Sequence, residues 1–175
     1  EVEKRLSIWS AGCSSGQEPY SVAIMLKEHF PQYQGWSIRL MACDLSTEML
    51  ARAREGRFSQ FEVNRGLPAQ LLVKYFHQKG IDWQVREDIR RMVEFTEINL
   101  AEPWPVIPYM DIIFLRNVLI YFDVETKKRI LAQAKRVLRP DGFLLLGTPE
   151  PPFNLDDTFD RFQGEKAWCS TPQKQ

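Results

Sequence analysis

The chain has 175 residues, 44% of them hydrophobic and 12% aromatic, which suffices for one domain with a substantial core. No segment reaches the roughly 18 uninterrupted apolar residues of a membrane span, so direct membrane insertion is not expected. Its 23 lysines and arginines against 23 aspartates and glutamates argue against a surface built as a whole for phosphate backbones, and nucleic acid is not an expected partner.

Leu6, Ile8 and Trp9 read as the end of a buried strand. Ala11, Gly12, Ser14, Ser15 and Gly16 then keep bulky side chains out of the following turn, so that a ligand can approach the main chain. Ser15 and Glu18 have the S-x-x-E spacing of a capping box opening a helix to about His29. Ile38 to Asp44 reads as a second strand ending in an acid, and Ser46 as the N-cap of a helix to about Glu55. Arg57 to Leu67 is expected to be a structured connection, and Pro68 to begin a helix with Leu71, Leu72, Tyr75 and Phe76 on one side. Trp83 and Val85, then Met92, Val93, Phe95 and Ile98, predict two strands about a charged turn near Glu87 to Arg90, a small antiparallel appendage leading into a core strand. Asp111 to Leu115 is a compact apolar strand. A helix capped by Asp123 follows from about Val124 to Leu138, and Pro140-Asp141-Gly142 turns it into a strand over Phe143 to Leu146. Phe159, Phe162, Ala167 and Trp168 around Gln163-Gly164 fit a terminal hairpin that places one antiparallel strand in an otherwise parallel sheet.

This succession predicts an α/β fold. In open sheets of that kind the ligand lies across the C-terminal strand ends, where Gly12, Asp44, Asn99, Leu100, Arg116 and Asn117 fall. Asp44 either accepts hydrogen bonds from two ribose hydroxyls or is a turn aspartate ahead of a helix. Glu18 either caps its helix or meets the cationic end of a cofactor. Lys127, Lys128, Arg129, Lys135, Arg136 and Arg139 fit a solvated helix face better than a phosphate site. Cys13, Cys43 and Cys169 form no C-x-x-C pair and fit reduced thiols of a cytoplasmic protein, and His29 and His77 alone make a histidine-based metal site improbable. The chain has no initiator Met and no signal-peptide pattern, and reads as a fragment of something longer.

Three stretches carry a more specific message. WSAGCSSGQEPYS from Trp9 to Ser21, EVNRGLP from Glu62 to Pro68 and RNVLIYFD from Arg116 to Asp123 resemble, in order and spacing, the CheR family of S-adenosylmethionine-dependent protein-glutamate O-methyltransferases of bacterial chemotaxis. The resemblance implies a Rossmann-like class I methyltransferase fold over 1–175, with a mostly parallel sheet, one antiparallel terminal strand and a small antiparallel β-subdomain around 79–96. It implies S-adenosylmethionine as cofactor, S-adenosylhomocysteine as product, and methyl-accepting chemotaxis receptors as partners. Cofactor contacts are implied for Gly12, Glu18, Asp44, Asn99, Leu100, Arg116 and Asn117, a place beside the reacting methyl for Tyr121, and a catalytic part for both Tyr121 and Arg116.

The chain departs from the family pattern in four places. Gln17 stands where a second acid is commoner, and Gly147-Thr148-Pro149-Glu150 replaces G-H-S-E, a change without an account. The family's helical N-terminal domain is absent, which predicts that the fragment is weakly active or inactive alone. The Lys79 to Arg91 region is short compared with members that tether to a receptor's terminal pentapeptide, which implies a pentapeptide-independent member. Two alternatives stay open: a methyltransferase for a small molecule or RNA, although the D/N-P-P-Y motif of base methylation is missing, and a non-catalytic cofactor-binding module of a multidomain signalling protein.

Overall fold

The computed structural model describes residues 4–149, 159–163 and 167–172. The chain starts with β1 (Arg5–Ala11), α1 (Gln17–His29), β2 (Ser37–Asp44) and α2 (Thr47–Glu55). A short run follows: β3 (Arg57–Ser59), α3 (Gln60–Val63), α4 (Ala69–Tyr75), β4 (Phe76–Lys79), β5 (Asp82–Val85) and α5 (Glu87–Arg90). The alternating pattern resumes with β6 (Val93–Glu97), β7 (Met110–Leu115), α6 (Val124–Val137) and β8 (Leu138–Gly147), and ends with β9 (Phe159–Gln163) and β10 (Ala167–Pro172).

Among the described residues, seven strands form one sheet in the order β6-β2-β1-β7-β8-β10-β9. The pairs from β6 through β8 are parallel. Strand β10 runs antiparallel to both β8 and β9 and is the expected reversed strand. Gly164, expected at the turn of the terminal hairpin, lies outside the described residues. Strand β1 is the middle one of the five parallel strands, and chain order reverses about it: β2 lies on one side and β7 on the other, which makes the crevice above β1 and β7 the topological switch point.

The two-residue period of the strands sorts side chains into two cores. Ile8, Leu40 and Ala42 pack with Tyr20, Ala23, Ile24 and Leu50 of the helices on one face. Trp9, Met41, Ile113, Leu115 and Leu144 pack with Ile130, Leu131 and Ala134 of α6 on the other. Helix α6 is amphipathic as expected, and the Asp123 carboxylate accepts from the Thr126 N–H at 2.9 Å to cap it. Ser46 likewise accepts from the Met49 N–H at 3.2 Å to cap α2.

Four features differ from expectation. Helix α1 has no capping box: its N-cap is Gly16 at φ 94°, without a side-chain cap bond, because Ser15 donates to Gln17 and Glu18 turns toward β1. A capping box of the same spacing forms instead in the supposed connection, between Ser59 and Glu62 at the start of α3. The small antiparallel sheet is built from β3, β5 and β4, which lie between residues 57 and 85 and so begin earlier than the 79–96 insertion. Only β5 and the short α5 fall inside that range apart from β6, which pairs in parallel with β2 at the edge of the main sheet. The periodicity shows strands but not which sheet each joins, and pairing partners decide that. Finally, Pro140-Asp141-Gly142 does not separate α6 from its strand. Leu138 is already extended, as a residue two before a proline at a helix end allows, and the turn is a bulge within β8 between its pairings to Met110 and Ile112.

Candidate active site

The loop after β1 is pinned from below. The Gly12 and Cys13 N–H groups both donate to the Cys43 carbonyl, at 2.9 and 2.8 Å. Gly12 has φ 78°, and a Cβ there would lie 2.5 Å from Val118 Cγ2, so the loops after β1 and β7 are in direct contact across a position that admits no side chain. Asp44, at the end of β2, accepts from the Ser14 N–H at 2.8 Å through one carboxylate oxygen and from the Ser46 N–H at 3.0 Å through the other. It is therefore the turn aspartate and a brace of the first loop at once. A carboxylate has about four lone-pair positions, so both oxygens keep capacity for a ligand's hydroxyls.

Glu18, in the first turn of α1, accepts from the Ser10 hydroxyl at 2.8 Å and lies 3.5 Å from Arg116 Nη1. Glu18 and Arg116 border a cleft of about 400 Å³ between α1 and β7, with Val22, Met25 and Phe114 as its apolar wall. The only non-glycine residues with positive φ among those described are Ser14 (φ 50°) and Asn117 (φ 58°), one in each of the two loops that meet at Gly12. Strained backbone of this kind costs of order 1–3 kcal/mol per residue and persists where surrounding structure imposes it, which is common at functional sites.

Beyond β6, the Ile98 N–H donates to the Asp44 carbonyl, carrying the next segment toward the same edge. Asn99 Oδ1 accepts from the Ala101 N–H at 3.0 Å, and the Leu100 carbonyl accepts from the Trp104 indole at 3.0 Å. The Asn99-Leu100 turn is thus held on both sides. Gly12, Glu18, Asp44, Asn99, Leu100, Arg116 and Asn117 all fall at the C-terminal ends of β1, β2, β6 and β7 or in the turns just beyond. Tyr121 is different: it ends a 3-10 turn after β7, and its side chain is 78% exposed, outside the Ser10–Glu18–Arg116 network. Sequence reasoning missed Ser10 and Trp104, and it placed Ser14 in the turn without its bond to Asp44. Ser10 carried a signal in principle, being a hydroxyl inside a strand flanked by Trp9 and Ala11.

Among the described side chains, neither Cys13 nor Cys43 is a thiolate nucleophile. Burial pushes the Cys13 thiol up to about 12, with the neighbouring Cys43 adding to the effect, and burial pushes Cys43 up to about 11, so both stay protonated at neutral pH. Burial also raises Tyr20, whose hydroxyl donates to the Ala53 carbonyl at 2.6 Å and ties α1 to α2. Among the described residues no helix is long and apolar enough to cross a membrane.

Residues 1–168 match the family model described as "CheR methyltransferase, SAM binding domain". The chain is 40% identical over 164 residues to chemotaxis protein methyltransferase 1 of Pseudomonas aeruginosa, covering 91% of this chain and 60% of that protein. It is 39% identical over 164 residues to chemotaxis protein methyltransferase Cher2 of Pseudomonas putida, with the same coverage of 91% and 60%. A chemotaxis protein methyltransferase of Borreliella burgdorferi is 40% identical over 148 residues, 83% of this chain and 52% of that one. The chain therefore spans between 52% and 60% of the length of these relatives. Among solved structures, a TehB-like SAM-dependent methyltransferase from Corynebacterium glutamicum superposes with a TM-score of 0.58 at 12% identity, covering 96% of this chain and 80% of that one. PKMT2 from Rickettsia typhi in complex with AdoHcy superposes with a TM-score of 0.52 at 12% identity, over 84% of this chain and 22% of that one. At such identities the likeness is one of fold, the Rossmann-like class I methyltransferase fold.

Proposed function

Because the chain belongs to the CheR methyltransferase family and is its SAM-binding domain, with S-adenosylmethionine as cofactor, we propose that it serves methyl transfer to glutamate side chains of methyl-accepting chemotaxis receptors. The observation that carries this reading is the convergence of Asp44, Glu18 and Arg116 on the edge where the glycine-bearing loop and the RNVLIYFD turn touch. The residues fit the cofactor chemically. Asp44 offers acceptors to a ribose diol, and Glu18 offers an anion to a cationic amino-acid and sulfonium end. When bound, S-adenosylmethionine supplies an electrophilic methyl group and leaves as S-adenosylhomocysteine.

The chain's own task is alignment. An acceptor glutamate is already ionised near neutral pH, so no general base has to remove a proton, in keeping with the protonated state of Cys13 and Cys43. Asp44 and the Asn99-Leu100 turn fix the nucleoside end, Glu18 fixes the charged end, and Arg116 with Asn117 sets the floor beside them. Tyr121 stands at the exit of that floor and orients the methyl-bearing end while shielding it from water once the acceptor is in place. Orientation of this kind can supply effective molarities of about 10⁵ M or more. The reading is of a cytoplasmic enzyme that needs the remaining length of its relatives for full activity. Receptor recognition without a tethering pentapeptide is part of the proposal, and it rests on the shortness of the Lys79 to Arg91 region, whose turn between Lys79 and Asp82 has two residues.

The experiment is calorimetric titration of this chain with S-adenosylmethionine and S-adenosylhomocysteine, wild type against Asp44→Ala. Saturable binding of both, weakened about tenfold or more by the substitution, is expected, since a lost charge-assisted hydrogen bond is worth about 1.5–3 kcal/mol. Receptor methylation by the longer protein, with Tyr121→Phe as the companion variant, then tests the transfer step. Binding without any methylation in that longer protein would select a non-catalytic module instead.

A further inference from the structure

Ser10 is fully buried in β1, an interior strand of the sheet, paired with Ala42 on one side and Phe114 on the other. A hydroxyl in that place costs stability unless it is hydrogen-bonded, and an alanine would fit the strand without that demand. Its proton goes to Glu18 Oε1 at 2.8 Å, while Glu18 Oε2 faces Arg116 at 3.5 Å. Arg116 directly follows β7, the strand paired with β1. The glutamate is thus held between two adjacent strands, with one oxygen tied to each.

We propose that Ser10 is a positioning residue for cofactor binding: it holds one oxygen of Glu18 away from Arg116, so that the carboxylate keeps an anionic face toward the cleft. The argument is geometric. A guanidinium prefers to take a carboxylate through two parallel N–H···O bonds. Left to itself, Glu18 would turn both oxygens to Arg116 and the pair would neutralise each other. With Oε1 bonded to Ser10, only Oε2 is directed at the guanidinium, at a distance too long for a strong bond. The same tie explains why Glu18 does not reach back to form a capping box with Ser15, although the spacing is right. This inference rests on the reading of Glu18 as a cofactor contact.

A double-mutant cycle tests it, with S-adenosylmethionine titrated into wild type, Ser10→Ala, Ser10→Cys, Glu18→Gln and Ser10→Ala/Glu18→Gln. Cysteine is slightly larger than serine, so it keeps the site filled, but it is a weak donor and thus separates packing from hydrogen bonding. Ser10→Ala and Ser10→Cys are each expected to weaken binding about fivefold, and Glu18→Gln at least about tenfold. The double variant is expected to match Glu18→Gln within about twofold, because residues acting through one contact are not additive. A Ser10→Ala effect that persists undiminished in the Glu18→Gln background overturns the proposal while leaving the role of Glu18 intact. Wild-type affinity in Ser10→Cys overturns it too, by reducing Ser10 to a space-filler. Unchanged affinity in Glu18→Gln overturns the cofactor reading itself, and the proposal with it. If Ser10→Ala unfolds below the assay temperature, Ser10→Cys carries the same comparison.

Discussion

Helix α1 opens over the switch point and helix α3 opens on the small sheet, yet both are preceded by the same S-x-x-E spacing. At α3 the local rule is obeyed: Ser59 accepts from the Glu62 N–H at 3.3 Å and Glu62 accepts from the Ser59 N–H at 2.8 Å. At α1 it is not, and the glutamate that would close the box is held by Ser10 and Arg116, residues of two other segments. Helices α2 and α6 side with α3, capped by Ser46 and Asp123. Helices α4 and α5 start at Pro68 and Arg86 without a side-chain cap; at α2, α3 and α6 the nearest polar side chains satisfy the helix's own N–H groups. At the candidate site they are committed to the tertiary arrangement instead, and a left-handed glycine makes the turn.

The largest way to break this contrast is to disturb the loop that leads from β1 toward α1. Gly12→Ala introduces a Cβ 2.5 Å from Val118 Cγ2 at a φ of 78°, so either the loop after β1 or the one after β7 must move. The expected cost is about 1–3 kcal/mol of stability from backbone strain and overpacking. Affinity for S-adenosylmethionine is expected to fall more than about tenfold, since that loop carries the Ser14 N–H to Asp44. Thermal unfolding and calorimetry on the same preparation check both. Wild-type affinity in a folded Gly12→Ala variant would mean that contact between the two loops does not shape the site.

A smaller and sharper test sets the two serines against each other. Ser59→Ala removes a realised cap and should cost about 1 kcal/mol in urea unfolding, leaving cofactor affinity within about twofold. Ser15→Ala removes only the bond to Gln17 and should cost less than about 0.5 kcal/mol. Equal costs would mean that Ser15 caps α1 in solution and that the difference between the two helix starts is not real.

The same pair of serines marks where sequence reading stops. The strand expected over Ile38 to Asp44 is Ser37–Asp44, and the helix expected from Val124 to Leu138 is Val124–Val137. Both are set by apolar periodicity and a cap, which are properties of the segment alone. Asp44, Glu18 and Arg116 were legible because they end strands or open a helix, the places where an α/β sheet presents side chains. Residues 15–18 share the S-x-x-E spacing of residues 59–62, and Gly16, where the turn is made, does not by itself say what Glu18 bonds to. The distinction lies in Ser10, eight positions upstream of Glu18, and Arg116, far downstream, and it exists only once β1 and β7 lie side by side. The short strands β3 and β4 were illegible for a related reason, whereas β5 was legible at Trp83 and Val85. With three or four residues each, β3 and β4 have no periodicity to read, and they become strands by pairing with β5, with Phe58 and Phe76 in ring contact at 6.5 Å between centroids.

The smallest expected effect concerns the cap at the far end of the contrast. The Thr126 N–H, with the Thr126 hydroxyl in support, holds the Asp123 carboxyl below its ordinary value of 3.8. A carboxylate whose pKa is depressed in the folded state adds stability above its unfolded pKa, and that stability is lost as pH falls through the folded value. Asp123→Asn keeps an acceptor at the N-cap but removes the titration. The difference in unfolding free energy between wild type and Asp123→Asn should therefore be positive and flat near neutral pH, and should shrink below about pH 4. Because Asp123 is exposed, the difference should also shrink in about 1 M salt, where the Debye length falls to roughly 3 Å. A difference that grows on acidification would mean that Asp123 is protonated in the folded state and caps α6 as a neutral group, and the likeness of α6 to α3 as locally satisfied helix starts would then not extend to charge.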